Sequence, residues 1–203
     1  MNCPSLESER LLLRKLELSD IDDVVQGLNN RNVSKWFLGI PYPFTKENAQ
    51  EYIQKDEDYR WGIVTKAENK VIGIMNLMER DHNFAPKPNI CMETWINEKY
   101  RGHSFGLEAN CLCIDFVFKA FEIQAITVVY SEENMPSIIQ TDRLGFRCLY
   151  GKGECILGYL TKKSWLDGKH NNPYYDMISK YIPSSNTEEY DMKNKRNIEK
   201  RSL

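Results

Sequence analysis

Several features that would point to a function at once are missing from this sequence. Its 203 residues include only three histidines, His82, His103 and His170, too scattered to suggest a zinc site. The six cysteines form no Cys-x-x-Cys pair, and Cys111 and Cys113 lie two apart on an expected helix, so they point in different directions. Reduced, mostly buried thiols are therefore expected, as in a cytoplasmic protein. No uninterrupted apolar stretch approaches the ~20 residues of a membrane span, and Met1–Glu7 has no basic segment leading into an apolar run. Neither membrane insertion nor secretion is expected. Lys and Arg number 27 against 29 Asp and Glu, a net charge of −2, which argues against a non-specific nucleic-acid binder. Gly-x-x-x-x-Gly-Lys-Ser/Thr and Gly-x-Gly-x-x-Gly are both absent, which argues against nucleotide-binding α/β proteins of those kinds. No internal repeat is evident.

The chain is 41% apolar, enough for one sizeable core. Residues 1–182 read as a single domain. Residues 183–203 mix both charges with almost no apolar side chains and read as a disordered tail. Glu9–Leu18 reads as a first strand. Ser19 then stands as an N-cap with an acid three residues on, ahead of Ile21, Val24, Val25 and Leu28 at helical spacing. A second helix starts at Thr45 and runs to about Lys55, carrying Ala49, Tyr52 and Ile53 on one stripe. The aromatic segment between them, Val33–Phe44, is broken by two prolines and cannot be a long helix.

Arg60–Thr65 and Val71–Met78 form a hairpin about Ala67–Lys70, and the polar, proline-bearing Glu79–Pro88 is a loop. A strand at Ile90–Ile96, a glycine-bearing turn at Tyr100–Leu107 and an apolar helix to Ala120 follow. Ile123–Tyr130 is a strand, Pro136 sits in the first turn of a helix ending near Gly145, and Phe146–Tyr150 and Glu154–Thr161 are strands. Pro173–Ile182 reads as a docked helix. The order is β-α-α-β-β-β-α-β-α-β-β, an α/β mixture of hairpins and crossovers. The strand–turn–helix junction from Ile90 to Ala120 is an anion site in waiting, because the N–H groups of a helix's first turn have no intrahelical partner and the dipole adds positive charge.

This order resembles the GNAT superfamily of acyl-CoA-dependent N-acyltransferases. Ser8-Glu9-Arg10-Leu11-Leu12-Leu13-Arg14 is similar to the opening of its RimJ/RimL-like branch, which includes ribosomal-protein acetyltransferases. Tyr100–Gly106 is similar to the family's phosphate loop, and Asn134-Met135-Pro136-Ser137 with Arg143-Leu144-Gly145-Phe146 to a later segment. The resemblance implies a mixed, mostly antiparallel sheet of about seven strands flanked by helices, with acetyl-CoA as co-substrate and no metal. It implies that Arg101, Gly102, His103, Ser104, Phe105 and Gly106 cradle the pyrophosphate of coenzyme A. Backbone N–H groups of Trp95, Ile96 and Asn97 would face the thioester carbonyl, and Asn134 would bind the pantetheine arm.

Acyl transfer to an amine also needs a base and a proton for the departing thiolate. Glu93 is the one acid inside an apolar strand, and by the two-residue alternation it points to the same side as Cys91, where relatives often place an acid. It is the expected base. Many members of the family use a tyrosine seven residues after the asparagine, a position held here by Thr141. The RimJ/RimL-like branch more often has a serine three residues after it, so the resemblance implies Ser137 as the partner of the sulfur. The loop departs from the pattern at Ser104, where the middle glycine is expected.

Trp36, Phe37 and Tyr42, with the Glu79–Pro88 loop and the last hairpin, are the expected acceptor pocket. The resemblance implies a primary-amine acceptor, either a protein N-terminus or a small molecule, and a monomer or homodimer is expected. Ser104, Thr141 and Cys91 also suit a second reading, a non-catalytic acyl-CoA-binding module acting as sensor or scaffold.

Overall fold

A computed structural model describes residues 3–37, 39–55, 59–151 and 153–168. The helix expected at Pro173–Ile182, the tail 183–203 and His170 lie outside these residues. The elements are β1 (Leu6–Glu7), β2 (Leu11–Arg14), α1 (Ile21–Leu28), α2 (Arg31–Ser34), α3 (Lys46–Gln54), β3 (Arg60–Thr65), β4 (Lys70–Met78) and β5 (Asn89–Ile96). They continue with α4 (Phe105–Ala120), β6 (Ala125–Ser131), α5 (Met135–Arg143), β7 (Arg147–Tyr150), β8 (Cys155–Thr161) and α6 (Lys162–Gly168). The strands form one sheet in the order β1-β2-β3-β4-β5-β6-β8-β7, antiparallel throughout except for β5 beside β6. The expected mixed, mostly antiparallel architecture is thus observed.

Three expectations need correction. The sheet has eight strands, not about seven, because Leu6–Glu7 folds back onto β2 with Leu6 opposite Leu13. The strand expected at Glu9–Leu18 is confined to Leu11–Arg14. Beyond it, Arg14 turns its guanidinium onto Asp20, with Nη1–Oδ2 at 2.8 Å and Nη2–Oδ1 at 2.9 Å. The same carboxylate accepts the Glu17 N–H at 2.8 Å, so the helical turn starts two residues before the cap expected at Ser19. Two short helices, α2 and α6, were not anticipated. The Asn30 side chain caps α2 by accepting the Asn32 N–H at 2.9 Å. Trp165 anchors α6 by donating its indole N–H to Asp115 of α4 at 2.7 Å.

Helices cover both faces of the sheet. Leu107, Cys111, Ile114 and Val117 of α4 pack with Leu11, Leu13, Trp61, Ile63, Met75, Met92 and Ile126 in one core. Val24 and Leu28 of α1 and Ala49 and Ile53 of α3 pack with Val64, Ile74 and Trp95 in a second. Because side chains alternate along a strand, β5 feeds both cores, with Ile90 and Met92 in the first and Trp95 in the second. Gly73 lets β4 and β5 meet at close range, since a Cβ there would stand 2.2 Å from the Trp95 carbonyl oxygen. Backbone cannot yield as a side chain can. Gly73→Ala is therefore expected to cost about 2 kcal/mol or more, by the usual penalty for overpacking, read as a lower urea midpoint.

Candidate active site

β5 and β6 are paired only over Asn89–Cys91 and Ala125–Thr127. Past the Cys91–Thr127 rung they part, although β5 continues to Ile96 and β6 to Ser131. The sheet is split there, and the free edge of β5 faces a gap. Main-chain groups alternate between the two edges of a strand. The Asn97 N–H donates to Ile72 across β4 at 2.7 Å, so Trp95 and Asn97 face β4 and the even-numbered residues face the gap. The same parity places the Ile90 carbonyl toward β6, where Thr127 Oγ1 donates to it at 3.2 Å. Of the three expected donors, Ile96 alone lies on the gap edge, and Met92 and Thr94 share it. Trp95 instead buries its ring in the second core, and Asn97 caps the following turn by accepting the Lys99 N–H at 3.2 Å.

The mouth of the gap is formed by the loop into α4. The N–H groups of residues 102–107 have no protein acceptor among the described residues. Ser104 holds φ 63° and ψ 12°, the left-handed conformation that glycine would supply, and its hydroxyl does not cap the helix. The serine thus keeps the turn open to an anion despite the missing glycine. Gly102 also has a positive φ, of 82°. Arg101 Nε donates to the Ile96 carbonyl at 3.2 Å, which ties the loop to the end of β5. His103 is exposed, donates its Nδ1–H to the Arg101 carbonyl at 2.9 Å and stacks on Phe105 with centroids 5.8 Å apart.

From across the gap, α5 reaches the loop. A Cβ on Gly106 would lie 3.1 Å from Gln140 Oε1 and 3.3 Å from Ile96 Cγ1. Asn134 caps α5 by accepting the Ser137 N–H at 3.4 Å, and Ser137 is half-buried one turn before Thr141. Thr141 is already committed. Its Oγ1 donates to the Ser137 carbonyl at 2.9 Å and accepts the Tyr130 hydroxyl at 2.7 Å.

On the opposite face of the sheet, Glu93 is half-buried and accepts from Asn76 Nδ2 at 3.1 Å. Arg60 Nε donates to Asn76 Oδ1 at 3.2 Å, and the guanidinium lies 3.9 Å above the Tyr52 ring and donates to the Tyr52 carbonyl at 2.6 Å. Sequence reasoning missed this support. Asn76 is the strand partner of Glu93, and a lone amide in an apolar strand was the signal that could have found it. Cys91 lies one step along the same face, and burial pushes its thiol up to about 11.

His82 was also missed, because nothing in its loop marks it out. Thr127 donates to Ile90, so its oxygen accepts from His82 Nδ1–H at 2.9 Å, leaving Nε2 as the basic nitrogen. The residue sits beside the rung where the strands part. Burial lowers its pKa below the ordinary 6.5, with Arg80 acting in the same sense and Asp81 opposing. The unfolded chain takes up this proton first, so the contribution of His82 to stability is complete above about 6.5 and is lost as pH falls through the folded-state value. An NMR pH series is expected to give a midpoint below 6.5 for this imidazole; a higher midpoint contradicts its burial against Thr127.

Of the expected acceptor residues, Phe37 packs on the second core. Trp36 is half-buried and Tyr42 exposed, with Lys35 Nζ 4.3 Å from the first ring and the Arg31 guanidinium 5.2 Å from the second. No group of three or more His, Cys, Asp or Glu among the described residues is arranged to hold a metal, and no helix among them is long and apolar enough to cross a membrane.

The sheet is thus split at its one parallel pair, and N–H groups without a protein acceptor among the described residues stand at the mouth of the split. Residues 10–147 match the acetyltransferase (GNAT) domain, and the chain belongs to that family. It is 28% identical over 152 residues to the uncharacterised N-acetyltransferase p20 of Bacillus licheniformis, covering 70% of this chain and 82% of that one. It is 22% identical over 182 residues to the spermidine N(1)-acetyltransferase of Vibrio cholerae serotype O1, covering 88% and 99%. Its fold matches Mycobacterium smegmatis RimJ, solved in complex with CoA-disulfide, with a TM-score of 0.61 at 15% identity over 79% of this chain and 87% of that one. The protein is an N-acetyltransferase.

Proposed function

We propose that the protein transfers the acetyl group of acetyl-CoA to a primary amine, a protein N-terminus or a small molecule, by direct attack of the amine on the thioester. The observation that carries this is the row of unpartnered N–H groups at residues 102–107, set at the mouth of the β5–β6 gap. Those groups, with the side chain of Arg101, suit a pyrophosphate, and the gap edge of β5 suits main-chain pairing with a pantetheine arm. The likeness to RimJ in fold supports the RimJ/RimL-like placement. The six free cysteines are in keeping with a cytoplasmic protein.

In this reading the N–H of Ile96 or of its edge neighbours Met92 and Thr94 polarises the thioester carbonyl. Glu93 removes a proton from the incoming ammonium group. The free amine forms a C–N bond at the carbonyl carbon, the C–S bond breaks as the adduct collapses, and the second nitrogen-bound proton passes to the departing sulfur. Ser137 hydrogen-bonds that sulfur, and Asn134, whose amide nitrogen has no protein partner among the described residues, binds the pantetheine. Direct attack is favoured over an acyl-enzyme because the thiol nearest the split, Cys91, is held almost wholly protonated near neutrality. Trp36, Phe37 and Tyr42 form part of the acceptor wall.

A screen of peptide, aminoglycoside and polyamine acceptors for thiol release from acetyl-CoA tests this function. Amine-dependent release with at least one class is the expected result. Tight coenzyme A binding without release for any class would point instead to the non-catalytic module.

A further inference from the structure

The Ser8–Arg14 motif takes no part in the chemistry proposed above, yet its first residues reach the loop into α4 from ~100 positions away in sequence. Ser8 Oγ donates to Glu108 Oε1 at 2.5 Å. Arg10 Nε donates to Glu108 Oε2 at 2.8 Å, and Nη2 closes on the same oxygen. Glu108 stands in the first turn of α4 and has no exposed surface. The same guanidinium donates from Nη1 to the His103 carbonyl at 3.3 Å and lies 4.8 Å above the Phe105 ring. It therefore grips residues 103, 105 and 108, on both sides of Ser104.

That placement answers a difficulty in the loop. Ser104 carries a left-handed backbone that a residue with a Cβ adopts only when its surroundings impose it. The Arg10 contacts are such surroundings, and they are themselves anchored. Ser8 exchanges hydrogen bonds with Leu11, N–H to carbonyl at 2.9 Å and Leu11 N–H to Oγ at 3.0 Å, and Leu11 is fully buried at the start of β2. The sheet edge thus holds the loop through one buried carboxylate and one guanidinium.

We propose that Ser8, Arg10 and Glu108 form a latch that fixes the 102–107 N–H groups in their anion-binding arrangement, as positioning residues for the phosphates of the co-substrate. The inference rests on the reading that those phosphates bind this loop. Its test compares acetyl-CoA with S-acetyl-pantetheine, which has the thioester and arm but no nucleotide pyrophosphate. Arg10→Lys keeps the charge and loses the two-nitrogen grip; Glu108→Gln keeps the shape and loses the charge.

Each variant is expected to raise KM for acetyl-CoA roughly tenfold or more, the weight of one charge-assisted hydrogen bond, while KM for S-acetyl-pantetheine changes by less than about twofold. An equal rise for both donors, or no rise for either, overturns the latch. If Glu108→Gln does not fold, Arg10→Lys carries the test. A wild-type protein that uses S-acetyl-pantetheine as well as acetyl-CoA overturns the phosphate site itself, which is a different failure from that of the latch.

Discussion

Gly106→Trp is expected to abolish coenzyme A binding. The position has no room to spare, since even a Cβ would meet Gln140 at 3.1 Å and Ile96 at 3.3 Å. An alanine can be accommodated, because the Gln140 amide is the end of a flexible side chain. An indole cannot, and it must turn into the mouth of the gap, over the N–H groups of the first turn of α4. Each hydrogen bond to a charged phosphate is worth about 1.5–3 kcal/mol, so losing several raises Kd by at least a hundredfold. Calorimetry should detect no binding by a variant whose circular dichroism is unchanged. Wild-type affinity in that variant would remove the loop from the site.

Glu93→Gln is expected to lower kcat by roughly a hundredfold or more, the weight of a general base, with Kd for coenzyme A within about twofold of wild type. The separation follows from the fold. Glu93 projects on the face of β5 opposite α4, while the loop lies at the strand's far end. A glutamine can still accept from Asn76 Nδ2 through its amide oxygen, so the Asn76–Arg60–Tyr52 network that holds the side chain survives and only the proton-accepting group is lost. An unchanged kcat would assign the proton to another group.

Much of the scaffold was legible because its signals are local. The Val71–Met78 hairpin arm, the Thr45 cap and the apolar girth of α4 each follow from neighbours in sequence, and the structure has them within a residue or two. What could not be read depends on contacts between distant segments. The cap expected at Ser19 lost to Glu17 because Asp20 is recruited by Arg14, a competition invisible without the turn between them. The edge parity of β5, which turns Trp95 and Asn97 away from the gap, depends on register with β4. Ser104 looked like a defect in the phosphate loop. Its left-handed backbone is braced from Arg10, which stands far earlier in the sequence. His82 meets Thr127 at the β5–β6 rung, a contact that depends on the pairing of those two strands.

Phosphate binding by the loop at the β5–β6 split underlies the proposed function. Calorimetric titration of the wild-type protein with coenzyme A, set beside pantetheine, tests it most directly. Saturable one-to-one binding of coenzyme A is expected, with pantetheine weaker by at least about tenfold for want of the charged contacts. No heat of binding at millimolar coenzyme A, or equal affinity for the two, would contradict it.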